Sequence, residues 1–306
     1  MDLTNLNDLK SLLGKFRIQL SEKLGQNFLV DREVLEKIVA SGELKKNDMV
    51  LEIGAGVGTL TLELSKIAGR VVAFEKDRKL LQSLELVLRK FKNVEVLIED
   101  FLEFDLQNHL PPTTHYKLIS NIPYYITGQI LRKIFSAKEK PSLVVLLVQK
   151  EVAERIVAKP GNLNMLALSV QFYGNPKIIS VVSKESFYPA PDVDSAILKI
   201  KVFNKPKIGA GSVRVSSAKN GTITTSEGSI SNGVNEKNFF RLARVGFASK
   251  RKTILNNISS GLKIEKVKTK KILEKAGIDP KFRPQELSFY DWERLLNEIN
   301  KNEKQG

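Results

Sequence analysis

The chain has 306 residues, 42% of them hydrophobic and 27% charged, with 49 Lys and Arg against 34 Asp and Glu for a net charge of +15. That length allows two domains, one with a full-sized core, and no apolar run approaches the ~20 residues that span a bilayer. With no cysteine and only two histidines, His109 and His115, disulfides and thiolate metal sites are excluded, and neither a zinc site nor a histidine-based triad is expected.

The N-terminus, Met1-Asp2-Leu3-Thr4-Asn5, is polar and lacks the pattern of a secretion signal. Gly25-Gln26-Asn27-Phe28-Leu29-Val30-Asp31 reads by itself as a helix-capping loop. From Met49 onward, strand and helix signals alternate as in an α/β domain with a largely parallel sheet. Apolar runs at Met49–Ile53, Val71–Phe74, Val94–Ile98, Tyr116–Ser120 and Leu143–Val148 suit strands covered on both faces. Between the second and third, Lys79–Phe91 carries a helical stripe of Leu80, Leu81, Leu84, Val87 and Leu88. Ile178–Val182 and Ala196–Phe203 read as a closing hairpin.

Glycines at 54, 56 and 58 follow the first strand, and a helix is expected from near Thr59. Such a loop brings backbone close to a ligand and presents free N–H groups to it. Glu75 stands 21 residues after Gly54, at the end of the next strand, near the ~20-residue spacing of a carboxylate that holds ribose hydroxyls. Asp77 is expected to cap the following helix. The third strand ends in Glu99-Asp100, where an acid can accept a hydrogen bond from an adenine amine. Together these outline a cofactor containing adenosine. A nicotinamide dinucleotide fits the same outline, but hydride transfer needs an acid–base residue that the chain does not offer nearby.

The fourth strand closes on Asn121-Ile122-Pro123-Tyr124. An amide, backbone carbonyls, a turn-fixing proline and an aromatic ring suit a flat base bearing an amino group; an isolated turn of this kind is more often structural. Later, Phe187-Tyr188-Pro189-Ala190-Pro191 reads alone as a rigid turn. Residues 205–234 are rich in Gly, Ser and Thr and read as a flexible linker or insertion. Helical patterns follow at Phe239–Phe247, Lys252–Ile258, Val267–Ala276 and Tyr290–Ile299, with Gly277 at a helix C′ position. Residues 241–283 hold 13 basic side chains against 3 acids, a net of +10, including Arg241, Arg244, Lys250, Arg251 and Lys252. Such a concentration suits a polyanion, and Phe247 beside it favours nucleic acid over a merely solvated helical surface, while charge alone does not separate nucleic acid from a membrane surface.

In combination these motifs make the chain resemble the ribosomal RNA adenine N6-dimethyltransferases (the KsgA family), class I S-adenosyl-L-methionine-dependent methyltransferases. The segments at Gly25–Asp31, Glu52–Gly58, Glu75, Glu99-Asp100, Asn121–Tyr124, Phe187–Pro191, Phe247–Asn257 and Arg283–Leu287 carry the resemblance. It implies a Rossmann-like α/β methyltransferase domain over 1–204 and a small all-α, basic RNA-binding domain over 235–306. S-adenosyl-L-methionine is the implied cofactor. Asn27 and Leu29 would cover its methionine end, and Gly54, Gly56 and Gly58 would line its carboxypropyl and ribose side. Glu75 would hold the ribose and Asp100 the adenine, while Asn121 would bridge cofactor and target. Tyr124 would stack on a flipped adenine, with Phe187 as a second aromatic wall, and catalysis would centre on Asn121, Ile122, Pro123, Tyr124 and Phe187. The implied reaction is dimethylation of two adjacent adenines near the 3′ end of small-subunit RNA in a pre-30S particle, by a cytoplasmic monomer. Alternatives are a 23S rRNA methyltransferase of the macrolide-resistance type and a non-catalytic assembly factor. Asp192 departs from the basic residue usual after the second proline of the Phe-x-Pro-x-Pro motif, which puts an RNA contact there in doubt. The 205–234 segment is longer than the usual interdomain connection.

Overall fold

The computed structural model describes residues 1–109, 115–204 and 236–303. They form two compact units, Met1–Glu154 with Asn175–Asn204, and Arg155–Gly174 with the residues from Glu236 onward. The linker or insertion expected at 205–234 lies outside the described residues. Residues 155–174, expected within a continuous 1–204 domain, instead pack with the C-terminal helices. The cause is aromatic: Phe172 lies 5.0 Å from Phe239 and 4.9 Å from Phe240, ring centre to ring centre.

The first unit is built on nine strands: β1 (Phe28–Leu29), β2 (Met49–Ile53), β3 (Arg70–Phe74), β4 (Val94–Leu97), β5 (Tyr116–Asn121), β6 (Leu143–Gln149), β7 (Gly174–Val182), β8 (Phe187–Tyr188) and β9 (Ser195–Val202). Seven form one sheet in the order β4-β3-β2-β5-β6-β9-β7. Strands β4 to β6 run parallel, and β9 is antiparallel to β6. The chain builds outward from β2 through β3 to β4, then returns to add β5 on the other side. The β2/β5 junction is therefore the switch point where α/β sheets bind ligands. There the backbone ladder stops at Leu51 opposite Leu118, and the Ile53 N–H donates to Ser120 Oγ at 2.8 Å instead.

β1 and β8 form a separate antiparallel pair, Phe28 opposite Tyr188 and Leu29 opposite Phe187. Successive strand residues point opposite ways, so Phe28 joins a core cluster with Val57 and Leu84 while Leu29 joins another with Ile119 and Phe187. An N-terminal helix without an expected counterpart, Leu6–Lys15, is capped by Asn5 and adds Leu9, Leu12 and Leu13 to the first cluster. The helix expected over 79–91 is shorter. Asp77 caps a 3-10 turn, Arg78–Leu80, by accepting the Lys79 N–H, and the α-helix runs Leu81–Leu88.

The second unit contains helices Met165–Tyr173, Glu236–Gly246, Ile254–Leu262, Lys266–Lys275 and Phe289–Glu303. Gly277 has φ +69°, its N–H bonds Glu274 O and the Ile278 N–H bonds Leu273 O, a Schellman ending to the fourth of these helices. Trp292 is fully buried and stacks on Phe247 at 5.2 Å.

Candidate cofactor and adenine site

A cavity of about 340 Å³ opens at the switch point, within the range of small-molecule sites. One wall follows from β2. Gly54, Gly56 and Gly58 all have positive φ, at +78°, +61° and +91°, a conformation that side-chain-bearing residues rarely adopt. Gly54 lines the cavity, and a Cβ there would sit 3.5 Å from Pro123 Cδ. Gly56 and Gly58 do not line it. A Cβ on Gly56 would press on the Phe28 ring at 3.0 Å, and one on Gly58 would meet Leu84 and Val87. These two glycines serve close packing and the start of helix Thr59–Ser65.

The Gly56 N–H donates to Glu75 Oε2 at 2.8 Å, and the Asp77 N–H to Glu75 Oε1 at 2.7 Å. Burial raises the Glu75 carboxyl above its usual range, only partly offset by these two N–H groups. Glu52, beside it in the cavity wall, is 1% exposed. Burial, aided by the nearby Glu75 and only partly opposed by Thr61, pushes its pKa up to about 8. Glu52 Oε2 and Thr59 Oγ1 have no hydrogen-bond partner. Neither group was singled out from sequence, although Glu52 is the acid two residues before the first glycine.

Asp100 lines the cavity. Its Oδ2 accepts from Lys76 Nζ at 2.6 Å and its Oδ1 from the Leu102 N–H at 2.9 Å. Partial burial disfavours the charged form, but these donors outweigh it and hold the carboxyl below its usual range. Lys133, from the helix after the Asn121–Tyr124 turn, steadies the loop beyond. Its Nζ donates to Leu102 O at 2.7 Å and Phe104 O at 2.5 Å and lies 5.4 Å from the centre of the Phe101 ring. Phe101 and Leu102 are cavity walls.

Asn121, Ile122, Pro123 and Tyr124 all line the cavity, as do Asn27 and Leu29. Gln26 Nε2 donates to Asp77 Oδ2 at 2.8 Å, and Asn121 Nδ2 donates to Asn27 O at 3.3 Å. A Cβ on Gly25 would lie 3.3 Å from Pro123 Cβ, so the N-terminal segment sits directly against the turn. Tyr124 is half-buried, its hydroxyl 2.6 Å from Ser195 Oγ. Tyr125, which also lines the cavity, is 60% exposed.

Phe187 is not a wall of this cavity. At 3% exposed it lies in the core cluster with Leu29, Val34 and Leu35. Its pairing with β1 turns the ring inward, which corrects the expectation of a second aromatic wall here.

Arg241, Arg244, Lys250, Arg251 and Lys252 are all exposed in the second unit. Phe247 is half-buried and stacks on Trp292. Asn257, 5% exposed, donates through Nδ2 to Gly246 O at 2.6 Å and Ser249 O at 2.9 Å. It thereby holds the segment leading to Lys250-Arg251-Lys252.

Residues 17–209 match the family described as Ribosomal RNA adenine dimethylase. The chain belongs to the ribosomal RNA adenine dimethylase family. The span matched to the family contains every residue that lines the cavity. Relatives called Ribosomal RNA small subunit methyltransferase A include one from Dehalococcoides mccartyi, 41% identical over 96% of this chain and 93% of that protein. Another, from Clostridium botulinum, is 36% identical over 94% of this chain and 96% of its own length. Among solved structures, a dimethyladenosine transferase from Plasmodium falciparum superposes with a TM-score of 0.69 at 25% identity, covering 90% of this chain and 98% of that one. The 23S rRNA methyltransferase ErmE shares the fold, with a TM-score of 0.68 at 24% identity, covering 90% of this chain and 100% of its own.

Proposed function

We propose that this member of the family uses S-adenosyl-L-methionine to dimethylate the N6 amines of two adjacent adenines in small-subunit ribosomal RNA. The observation that carries the reading is that the Asn121–Tyr124 turn and the acids Glu75 and Asp100 line one cavity. The names of relatives at 36 to 41% identity support the choice of small-subunit RNA. The same reading has the chain act as a cytoplasmic monomer on pre-30S particles.

The donor set fits this cofactor. Glu75 suits ribose hydroxyls and Asp100 an adenine amine, while buried Glu52 Oε2 and Thr59 Oγ1 have unused hydrogen-bonding capacity at the wall. When bound, the cofactor supplies an electrophilic sulfonium methyl group. Asn27, Phe28 and Leu29 exclude water at the covering segment. Because Asn121 Nδ2 is engaged by Asn27 O, Asn121 Oδ1 is left as an acceptor for the target amine. The Ile122 carbonyl is the second acceptor. Two such bonds favour a pyramidal nitrogen whose lone pair is withdrawn from the ring, so the turn acts by orientation and electrostatics. Tyr124 stacks on the extruded base, and the basic side chains of the second unit bind phosphate.

Incubating undermethylated small subunits and naked large-subunit RNA with labelled cofactor tests this directly. Label is expected on two neighbouring adenines of the small subunit. Label confined to the large subunit would overturn the reading.

A further inference from the structure

Stacking does not need the hydroxyl of Tyr124, since a phenylalanine offers a base the same face. The hydroxyl is nonetheless placed. It lies 2.6 Å from Ser195 Oγ, and Ser195 is 0% exposed at the start of β9. Ser195 is itself fixed, paired with Gln149 of β6, whose other neighbour is the β5 strand that ends in Asn121. The backbone of Tyr124 is held separately. It opens a 3-10 turn after Pro123, and Thr127 Oγ1 donates to Tyr124 O at 3.1 Å. The turn alone does not bury a ring, because Tyr125 in the same turn is 60% exposed.

We propose that Ser195 is a positioning residue, whose hydroxyl fixes the Tyr124 ring within the cavity before the target base arrives. This rests on the reading of Tyr124 as the stacking surface. A side chain with two free torsions loses freedom when a base packs on it; one anchored at both ends has lost that freedom on folding, and the base meets a prepared plane. Burial raises the Tyr124 phenol above its usual range, against a smaller opposite effect of Ser195. The phenol therefore stays neutral at physiological pH, and either hydroxyl can donate.

Ser195→Ala and Tyr124→Phe remove the same bond from opposite sides. Each is expected to lower kcat about fivefold, the usual scale of one hydrogen bond, with cofactor Kd unchanged. The double variant should fall no further than either single one. Losses that multiply in the double variant, or full activity in Ser195→Ala, would overturn the proposal. Ring-flip rates from NMR of ring-labelled tyrosine, with Tyr124 assigned by its loss in Tyr124→Phe, test the tether without turnover. Faster flipping in Ser195→Ala is expected, and an unchanged rate refutes it. A wild-type enzyme that leaves small-subunit RNA unmodified defeats the proposed function, while the flip rate still decides the role of Ser195.

Discussion

Asn121 reaches across 94 residues of sequence to the backbone of Asn27, donating its side-chain amide to that carbonyl at 3.3 Å. One bond thus orients the Asn121 amide and pins the segment that covers the cavity. Asp at this position keeps the shape but loses the donor and faces a carbonyl with negative charge. Asn121→Asp is expected to lower kcat by about 100-fold, the scale of one preorganised polar contact. Methyl incorporation at saturating cofactor checks this, and a fall of less than threefold refutes it.

Tyr124→Ala removes the stacking ring while leaving Glu75 and Asp100 in place. Base–aromatic stacking contributes about 1–3 kcal/mol, so kcat/KM for RNA should fall about 5- to 150-fold, with cofactor Kd within about twofold of wild type. Calorimetric titration of the cofactor separates the two. A large loss of cofactor affinity would mean that the ring supports the cavity itself.

Strands β2 to β6 were legible because each is an apolar run, and β2 lies where its sequence pattern put it, at Met49–Ile53, whereas β1 and β8 fall in segments that read as a capping loop and a rigid turn. The Asp77 cap and the Gly277 helix ending were legible for the same reason, since their cause is local. Contacts between distant segments left no such signal. Phe187 reads as part of a rigid, proline-rich turn, and its pairing with Leu29, far away in the chain, turns it inward. Nothing local in the sequence shows that Trp292 stacks on Phe247. Lys76 and Lys133 look like surface charge, yet one holds Asp100 and the other the carbonyls of Leu102 and Phe104.

Glu52 makes stability depend on pH. Its carboxyl ionises near 4.5 when unfolded and near 8 when folded, so the folded state holds the extra proton. The stabilisation is full below the unfolded value and is lost as pH rises through about 8. Glu52→Gln cannot ionise. The unfolding free energy of the cofactor-free wild type should therefore fall relative to this variant between pH 5 and 8, by an amount on the order of a few kcal/mol, and its thermal midpoint should fall with it. Calorimetric melts across that window check it, and parallel curves for the two proteins would refute it.

Lys250, Arg251 and Lys252 are exposed and held by a segment that Asn257 secures. Replacing all three with Ala should weaken RNA binding and reduce the slope of log K against log salt by about 3, one for each phosphate no longer neutralised. Filter binding over a range of salt concentrations measures the slope. An unchanged slope would assign these charges to solvent.

The chain leaves the first unit at Glu154, returns at Asn175 and leaves again after Asn204. A single cut therefore cannot separate the two units. A fragment ending at residue 204 keeps Phe172 and Tyr173 but loses Phe239 and Phe240, the rings they pack against, and so carries an uncovered aromatic face prone to self-association. A catalytic fragment must also do without the segment 155–173, so the boundary between the halves is a matter of chain routing rather than of sequence position.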